Sequence, residues 1–277
     1  MKKLLLAVLA MACLISADAQ LKTPAASTGQ TVKQEFGLGS IELSYSRPNI
    51  RKRKIFGDIV PFDSVWRTGA NTATTLTFTD DVIIAGITVP AGKYGLLSIP
   101  HKKTWDIIIS KQTNVTSPSA YKKEMDVLRI AVDVSKVKKA VESFTISFAN
   151  VMASSVDLQI CWDKSMVTLP ILTDVDSKVM AAIEQNMKSA KPEYFAAATY
   201  YMQNGKDLNQ ALTWFNKAVE AQPDAFWIQH QWANCLAKLG KTQEAKAAAN
   251  RSKELAAKAG NNDYVKLNEK LLKQLDK

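Results

Sequence analysis

The chain has 277 residues, of which 47% are hydrophobic and 22% charged, and its formal net charge is +10. That balance excludes a disordered polyelectrolyte, and the length suits two modest domains or one large one. The basic residues are spread along the chain, with one dense spot at Arg51, Lys52, Arg53 and Lys54.

The chain opens with Lys2 and Lys3, then the apolar run "LLLAVLAMACLIS" (residues 4–16), then Ala17-Asp18-Ala19. This is the order of a secretory signal, expected over residues 1–19 with cleavage after Ala19. A lipoprotein signal with "AMAC" as acylation box and Cys13 as the lipidated residue is the alternative. It fits less well, because Ala10 replaces a large aliphatic residue and Leu14-Ile15 continue the apolar run. The run is short for a membrane span, and no later segment is apolar for long enough. A soluble periplasmic or secreted protein with no transmembrane segment is therefore expected. Loss of Lys2, Lys3 and Asp18 takes the charge to +9. On an exported protein such a surface points to anionic glycans, the anionic envelope or acidic partners before nucleic acid; its plainest use is solubility.

Residues 20–172 are read as a β-domain with period-two patterning. "IELSYS" puts Ile41, Leu43 and Tyr45 on one face; "TLTF" does so with Leu76 and Phe78. "SFTISFA" gives Phe144, Ile146 and Phe148, and "VDLQICW" gives Val156, Leu158, Ile160 and Trp162. "TWDIII", "VLRIAV" and "MVTLPI" are further short strands, and "DVIIAGITVPAGKYGLLSIP" reads as consecutive strands with tight turns. Gly37, Gly39, Asp80-Asp81, Gly86, Pro90-Ala91-Gly92, Pro100 and Asp163-Lys164 are the turn signals. Many short strands with one apolar face predict an antiparallel β-sandwich. Nothing suggests βαβ repetition.

After about Asp174 the period becomes helical. "DVDSKVMAAIEQNMKSA" places Val179, Met180, Ile183 and Met187 along one side. "GKDLNQALTWFNKAVEAQPD" and "GKTQEAKAAANRSKELAAK" then repeat, with Ala211 and Ala245 34 residues apart. Spacing and small residues at Ala211, Ala218, Ala233 and Ala245 resemble the tetratricopeptide helix-turn-helix unit. "YVKLNEKLLKQL" is read as a capping helix. The fold class is α+β: a β-sandwich, then an all-α tetratricopeptide-like region over residues 173–277. Trp214, Trp227 and Trp232 offer aromatic surface to a protein partner. At helical spacing, at least two of them are expected in the helix-pair core instead.

"YSRP" (residues 45–48), "KIFGDIVPFDSVWRTGAN" (54–71) and "VPAGKYGLLSIP" (89–100), with Trp105 beyond, resemble in their order domain-of-unknown-function family 2911, found mainly in exported proteins of the Bacteroidota. The resemblance spans about residues 21–172. Thr72 stands where the family usually has Glu after "GAN". The family implies architecture and compartment and carries no activity to transfer. Asp63-Ser64-Val65 also matches a short O-glycosylation acceptor pattern of exported proteins in that group, which would need this loop exposed.

For chemistry, His101 and His230 are the only histidines, and no zinc or calcium spacing exists, so no metal and no cofactor are expected. No nucleophile elbow or phosphate loop is present, and no catalytic residue is assigned. Cys161 and Cys235 fall in different regions, which leaves a disulfide framework unsupported. The best polar constellation is Arg47, Arg53, Arg67 and Asn71, with Trp66, Thr68 and Tyr94. Arginine forks suit carboxylate or sulfate, and Trp or Tyr can face a sugar. The same residues can brace a long loop by bonding backbone carbonyls, with Trp66 as a core plug, which is the commoner use. The leading expectation is a non-enzymatic envelope protein that binds a protein partner or an anionic glycan. The alternative is an envelope hydrolase with Arg67 and an unidentified carboxylate.

Overall fold

The structure is a computed structural model that describes residues 23–277. The expected signal sequence, the Ala19 cleavage site and Cys13 lie outside the described residues. The chain divides into two compact units, Met1–Val175 and Asp176–Lys277.

Among the described residues the first unit holds ten strands: β1 (Thr28–Phe36), β2 (Gly39–Arg47), β3 (Thr75–Phe78), β4 (Val82–Ile84), β5 (Ile87–Val89), β6 (Gly92–Pro100), β7 (Thr104–Ser110), β8 (Asp126–Asp133), β9 (Ser135–Ala149) and β10 (Ser155–Leu172). A six-stranded sheet runs β1-β2-β3-β6-β7-β8 and a four-stranded sheet runs β5-β4-β10-β9. All pairings are antiparallel. Ile41, Leu43 and Tyr45 of one sheet share a core with Phe144, Val156, Leu158, Ile160 and Trp162 of the other. Alternate residues on a strand point to opposite faces, so one apolar face per sheet suffices to make a sandwich. The buried Tyr45 hydroxyl crosses this core and accepts the Ile146 N–H at 3.0 Å.

One turn signal plays a different part. Asp163-Lys164 does not separate two strands. Asp163 has φ 52° and sits where the β9–β10 register shifts, a bulge within one long strand. A bulge absorbs an extra residue without ending the ladder, and the Asp side chain tolerates the left-handed conformation.

The second unit is helical: α1 (Val175–Asn186), α2 (Tyr194–Gln203), α3 (Leu208–Ala221), α4 (Phe226–Lys238), α5 (Thr242–Lys258) and α6 (Asn262–Leu275). Consecutive helices from α2 to α6 pack pairwise. Ala211, Ala218, Ala233 and Ala245 are all buried, where a small side chain lets two helices approach. Asp207 caps α3 by accepting from the Asn209 and Gln210 backbone N–H groups. None of the helices among the described residues is long and apolar enough to cross a membrane.

Candidate functional site

Residues 48–74 join β2 to β3 without regular structure, and a loop of that length usually carries function. Its second half runs beside β6 and continues the line of β3. The Asp63 N–H donates to Pro100 O at 2.9 Å, and Trp66 exchanges two backbone bonds with Ser98 at 2.7 and 3.0 Å. The Leu96 N–H then donates to Thr74 O at 2.9 Å. Between Trp66 and Thr74 the chain leaves the ladder, makes an excursion over residues 67–73, and rejoins it.

Each residue of "WRTGAN" has a part in that excursion. Trp66 turns inward, stacks on Trp162 at 5.9 Å and 16°, and meets Trp105 and Phe144 edge-on. Its indole N–H donates to Gly69 O at 3.0 Å, which ties the excursion to the core. Thr68 is fully buried at φ 53°, rare for a β-branched residue. It is held there by a 2.9 Å hydroxyl contact with Ser98, while its carbonyl accepts from Thr74 Oγ1 at 2.7 Å. Gly69 backs onto β2: an added Cβ would lie 3.1 Å from Ser46 O and 2.9 Å from Thr74 Oγ1. Asn71 takes φ 56°, and its amide donates to Ser27 O at 3.0 Å.

Arg67 faces a cleft of about 360 Å³. One wall is the β2–β3 loop, with Arg53, Pro61, Ser64, Trp66 and Arg67. The other is the β7–β8 loop, with Val115, Thr116 and Pro118; Ser27 and Trp162 complete the lining. Val65 and Val115 pack with Leu97 and Ile108 on the outer face of the six-stranded sheet, and this shared cluster sets the two loops side by side. Arg67 Nη1 donates across the cleft to Thr116 O. Its Nε is buried with no partner among the described residues. Among the described residues the lining contains no Asp or Glu. A half-buried guanidinium without a counter-ion, facing an open cleft, is a ready anion site.

The other candidates are distributed as follows. Arg53 lines the cleft while its Nε and Nη2 donate to Ile50 O and Asn49 O at 3.1 and 2.7 Å. Arg47 lines a second, smaller hollow and donates to Phe144 O at 3.0 Å and Thr145 Oγ1 at 2.7 Å. Thr68 and Asn71 do not line the cleft; they shape its wall. Tyr94 lies apart, in the sandwich core beside Phe78, with its hydroxyl on Pro90 O at 2.9 Å. The structure thus brings Arg53, Trp66 and Arg67 together and gives the rest bracing roles. Trp66 lends the cleft little ring surface, because Trp162, Trp105 and Phe144 surround it.

Sequence reasoning passed over the β7–β8 loop. Its "TNVTSPS" run, a Ser/Thr cluster ending at Pro, was the available signal for a long loop beside the site. Ser64, the middle residue of the acceptor-like Asp63-Ser64-Val65 pattern, is half-buried in the cleft lining, next to a well-exposed Asp63.

Away from the cleft, His101 lies against Asp63 through Nδ1 and 3.7 Å from Asp106 through Nε2. Arg129 meets Asp106 and Asp126, and Tyr121 donates to Asp126 at 2.5 Å. Burial, and then the bond to Asp126, push Tyr121 up to about 12. Cys161 and Cys235 are free thiols, and burial raises both. Among the described residues, no three His, Cys, Asp or Glu side chains are grouped so as to hold a metal ion.

In the helical unit, Trp214 packs against Tyr201 at 4.7 Å, and Trp232 donates to Asn216 Oδ1 at 2.9 Å while filling the helix contacts. Trp227 remains 40% exposed.

The family model described as "Protein of unknown function (DUF2911)" matches residues 27–171, more than half of the chain. No curated protein matches it.

Proposed function

As the chain belongs to the DUF2911 family, we propose that its β unit is a non-enzymatic binding domain of the cell envelope that takes an acidic sugar group into the Arg67 cleft. The observation that carries this reading is the state of Arg67. It is half-buried, has no carboxylate within 4 Å among the described residues, keeps an unpartnered Nε and lines an open cleft. An unsatisfied buried donor costs about 1–3 kcal/mol, and an anion entering the cleft would offset the unpaired charge that the guanidinium carries. Ser27, Ser64, Thr116 and Ser117 supply hydroxyls for a sugar. Clustered backbone strain supports the same place: Arg51, Lys52, Asp63, Thr68 and Asn71 all take positive φ within this one loop. The hydrolase reading finds less support, since among the described residues the lining holds no carboxylate to act as acid or base.

In the same reading the protein reaches the envelope through cleavage after Ala19, with lipidation at Cys13 as the alternative. The helical unit is a tetratricopeptide-like scaffold for a protein partner. Its support is the packing of α2 on both α3 and α4, and of α4 on both α5 and α6. Alternate helices in contact are what a stacked repeat requires.

The test is calorimetric titration of the mature protein with galacturonate, glucuronate and sulfate. Arg67→Ala, verified as folded by circular dichroism, is titrated in parallel. Binding by wild type that falls at least about tenfold in the variant supports the site, as expected for a charge-assisted contact of ~1.5–3 kcal/mol. Equal binding by the folded variant overturns it.

A further inference from the structure

We propose that the Arg67 cleft is one end of a longer track for a linear polyanion, an acidic polysaccharide whose charged groups engage a second hollow at Arg47 and Arg51. The inference rests on the anion reading of the cleft and extends it from one charged group to several.

The arginine inventory carries the argument. The chain has six arginines. Arg129 and Arg251 make ion pairs with aspartates. Arg47, Arg51, Arg53 and Arg67 make none among the described residues, and these four cluster on the end of β2 and the loop that follows. Each is fixed instead by neutral acceptors: Arg47 by Phe144 O and Thr145 Oγ1, Arg51 by Ala26 O, Arg53 by Ile50 O and Asn49 O, Arg67 by Thr116 O. A guanidinium has five N–H donors, so at most two are used in each. The forks are oriented, no carboxylate pairs with them among the described residues, and most of their donors make no hydrogen bond there. Bracing a loop and binding an anion are therefore not alternatives here.

The second hollow, of about 200 Å³, is lined by Ala26, Thr28, Arg47, Asn49, Arg51 and Ser143. It adjoins the first along one segment: Ser27 lines the cleft, while its neighbours Ala26 and Thr28 line the second hollow. Pro48 and Arg53 of the cleft likewise interleave with Arg47, Asn49 and Arg51. Successive Cα atoms are ~3.8 Å apart, so the hollows lie within the reach of adjoining units of one polymer.

The tip between them is basic and held in a costly conformation. Arg51 and Lys52 take φ 49° and 59°, left-handed values that side chains other than Gly rarely adopt. Lys52 and Lys54 are exposed and unpaired among the described residues. An acid, Glu142, does reach the tip, but its carboxylate accepts the Arg51 backbone N–H at 2.9 Å. It orders the tip.

The lining favours polysaccharide over nucleic acid. Single-stranded nucleic acid is gripped by bases stacking on open aromatic faces. The aromatic rings here, Trp66 and Trp162, stack on each other inside the core. Hydroxyl and amide groups from Ser27, Ser64, Thr116, Thr28, Asn49 and Ser143 suit sugar hydroxyls instead.

The experiment compares galacturonate with an oligogalacturonate on the mature protein, at low and high salt. The oligomer is expected to bind about a hundredfold tighter than the monomer, with a steep salt dependence. Arg47→Gln with Arg51→Gln, and separately Lys52→Gln with Lys54→Gln, are expected to narrow that ratio about tenfold or more. The lysine side chains make no hydrogen bond among the described residues, so this pair guards against misfolding of the arginine pair. Oligomer binding no tighter than monomer, or a ratio unchanged in both folded variants, overturns the track while leaving the Arg67 site standing. Failure of wild type to bind even the monomer removes the site itself. Tighter binding of single-stranded DNA than of an oligogalacturonate of equal charge overturns the choice of polymer.

Discussion

Thr68 and Ser98 share a hydrogen bond of 2.9 Å between two fully buried hydroxyls, beside the pair of backbone bonds that joins Trp66 to Ser98. This contact holds a threonine at φ 53° and so sets the direction in which Arg67 leaves the ladder. Replacing Thr68 by Val removes one partner and leaves the Ser98 hydroxyl buried and unsatisfied. Thr68→Val is expected to destabilise the β unit by about 1–3 kcal/mol in chemical denaturation. The double variant with Ser98→Ala should be less destabilised than the sum of the singles, because both polar groups are then gone. Strict additivity would show that the two hydroxyls are not coupled.

Trp66 joins the β2–β3 loop to the sandwich core through its stack on Trp162. Trp66→Ala leaves a void among Phe56, Trp105, Phe144 and Trp162 and is expected to cost about 3–5 kcal/mol. Near-ultraviolet circular dichroism of the tryptophans should collapse with it. Retention of that signal would place the ring outside the packed core.

Gly95 lies where β6 passes under the β7–β8 loop, and an added Cβ would stand 2.0 Å from Gln112 O. Gln112 organises that loop, donating to Ala120 O at 3.0 Å and accepting from the Lys122 N–H at 2.7 Å. Gly95→Ala should therefore lower stability by about 1–3 kcal/mol and also weaken anion binding, by displacing the Thr116 wall. Denaturation and titration of the same sample would test both effects; an unaltered midpoint contradicts the close approach.

In the helical unit a buried polar chain links three helices. His230 Nδ1 meets Asn268 Oδ1 at 2.8 Å, Asn268 Nδ2 donates to Ser252 Oγ at 2.8 Å, and Ser252 Oγ donates to Phe226 O at 2.7 Å. Asn268→Leu strands His230 without that partner and should cost about 1–3 kcal/mol. Thermal unfolding followed at helical wavelengths would register it, and a variant as stable as wild type would make this chain dispensable.

Tyr121 provides the pH dependence. Its folded value is raised to about 12 from 10.0, so the folded state holds the proton more tightly than the unfolded chain. The stability it contributes is full below pH 10 and is lost as pH rises towards 12. Tyr121→Phe should flatten this part of the stability curve, read by denaturant unfolding across the alkaline range. An equal alkaline loss in the variant would assign it to other groups.

The inward faces of the strands were legible in the sequence, because burying one side of a sheet imposes a period of two that is written locally. Ile41, Leu43 and Tyr45, and Val156, Leu158, Ile160 and Trp162, are buried as that period requires. The change of period near Asp174 likewise marked where helices begin. The family motif was legible as well, but the work of its letters was not. Trp66, Thr68 and Asn71 brace the loop, Gly69 gives room to β2, and Arg67 faces the cleft. Tyr94, close to the others in motif order, lies in the core, because the β3–β6 pairing places it opposite Leu76. Tertiary structure alone decided that Thr116, Ser27 and Arg53 line one cleft with Arg67, and that four arginines share one region with no ion pair among the described residues. Such meetings depend on which strands become neighbours and on the aliphatic cluster of Val65, Leu97, Ile108 and Val115 beneath two loops. These contacts span long stretches of chain, and no local periodicity encodes them.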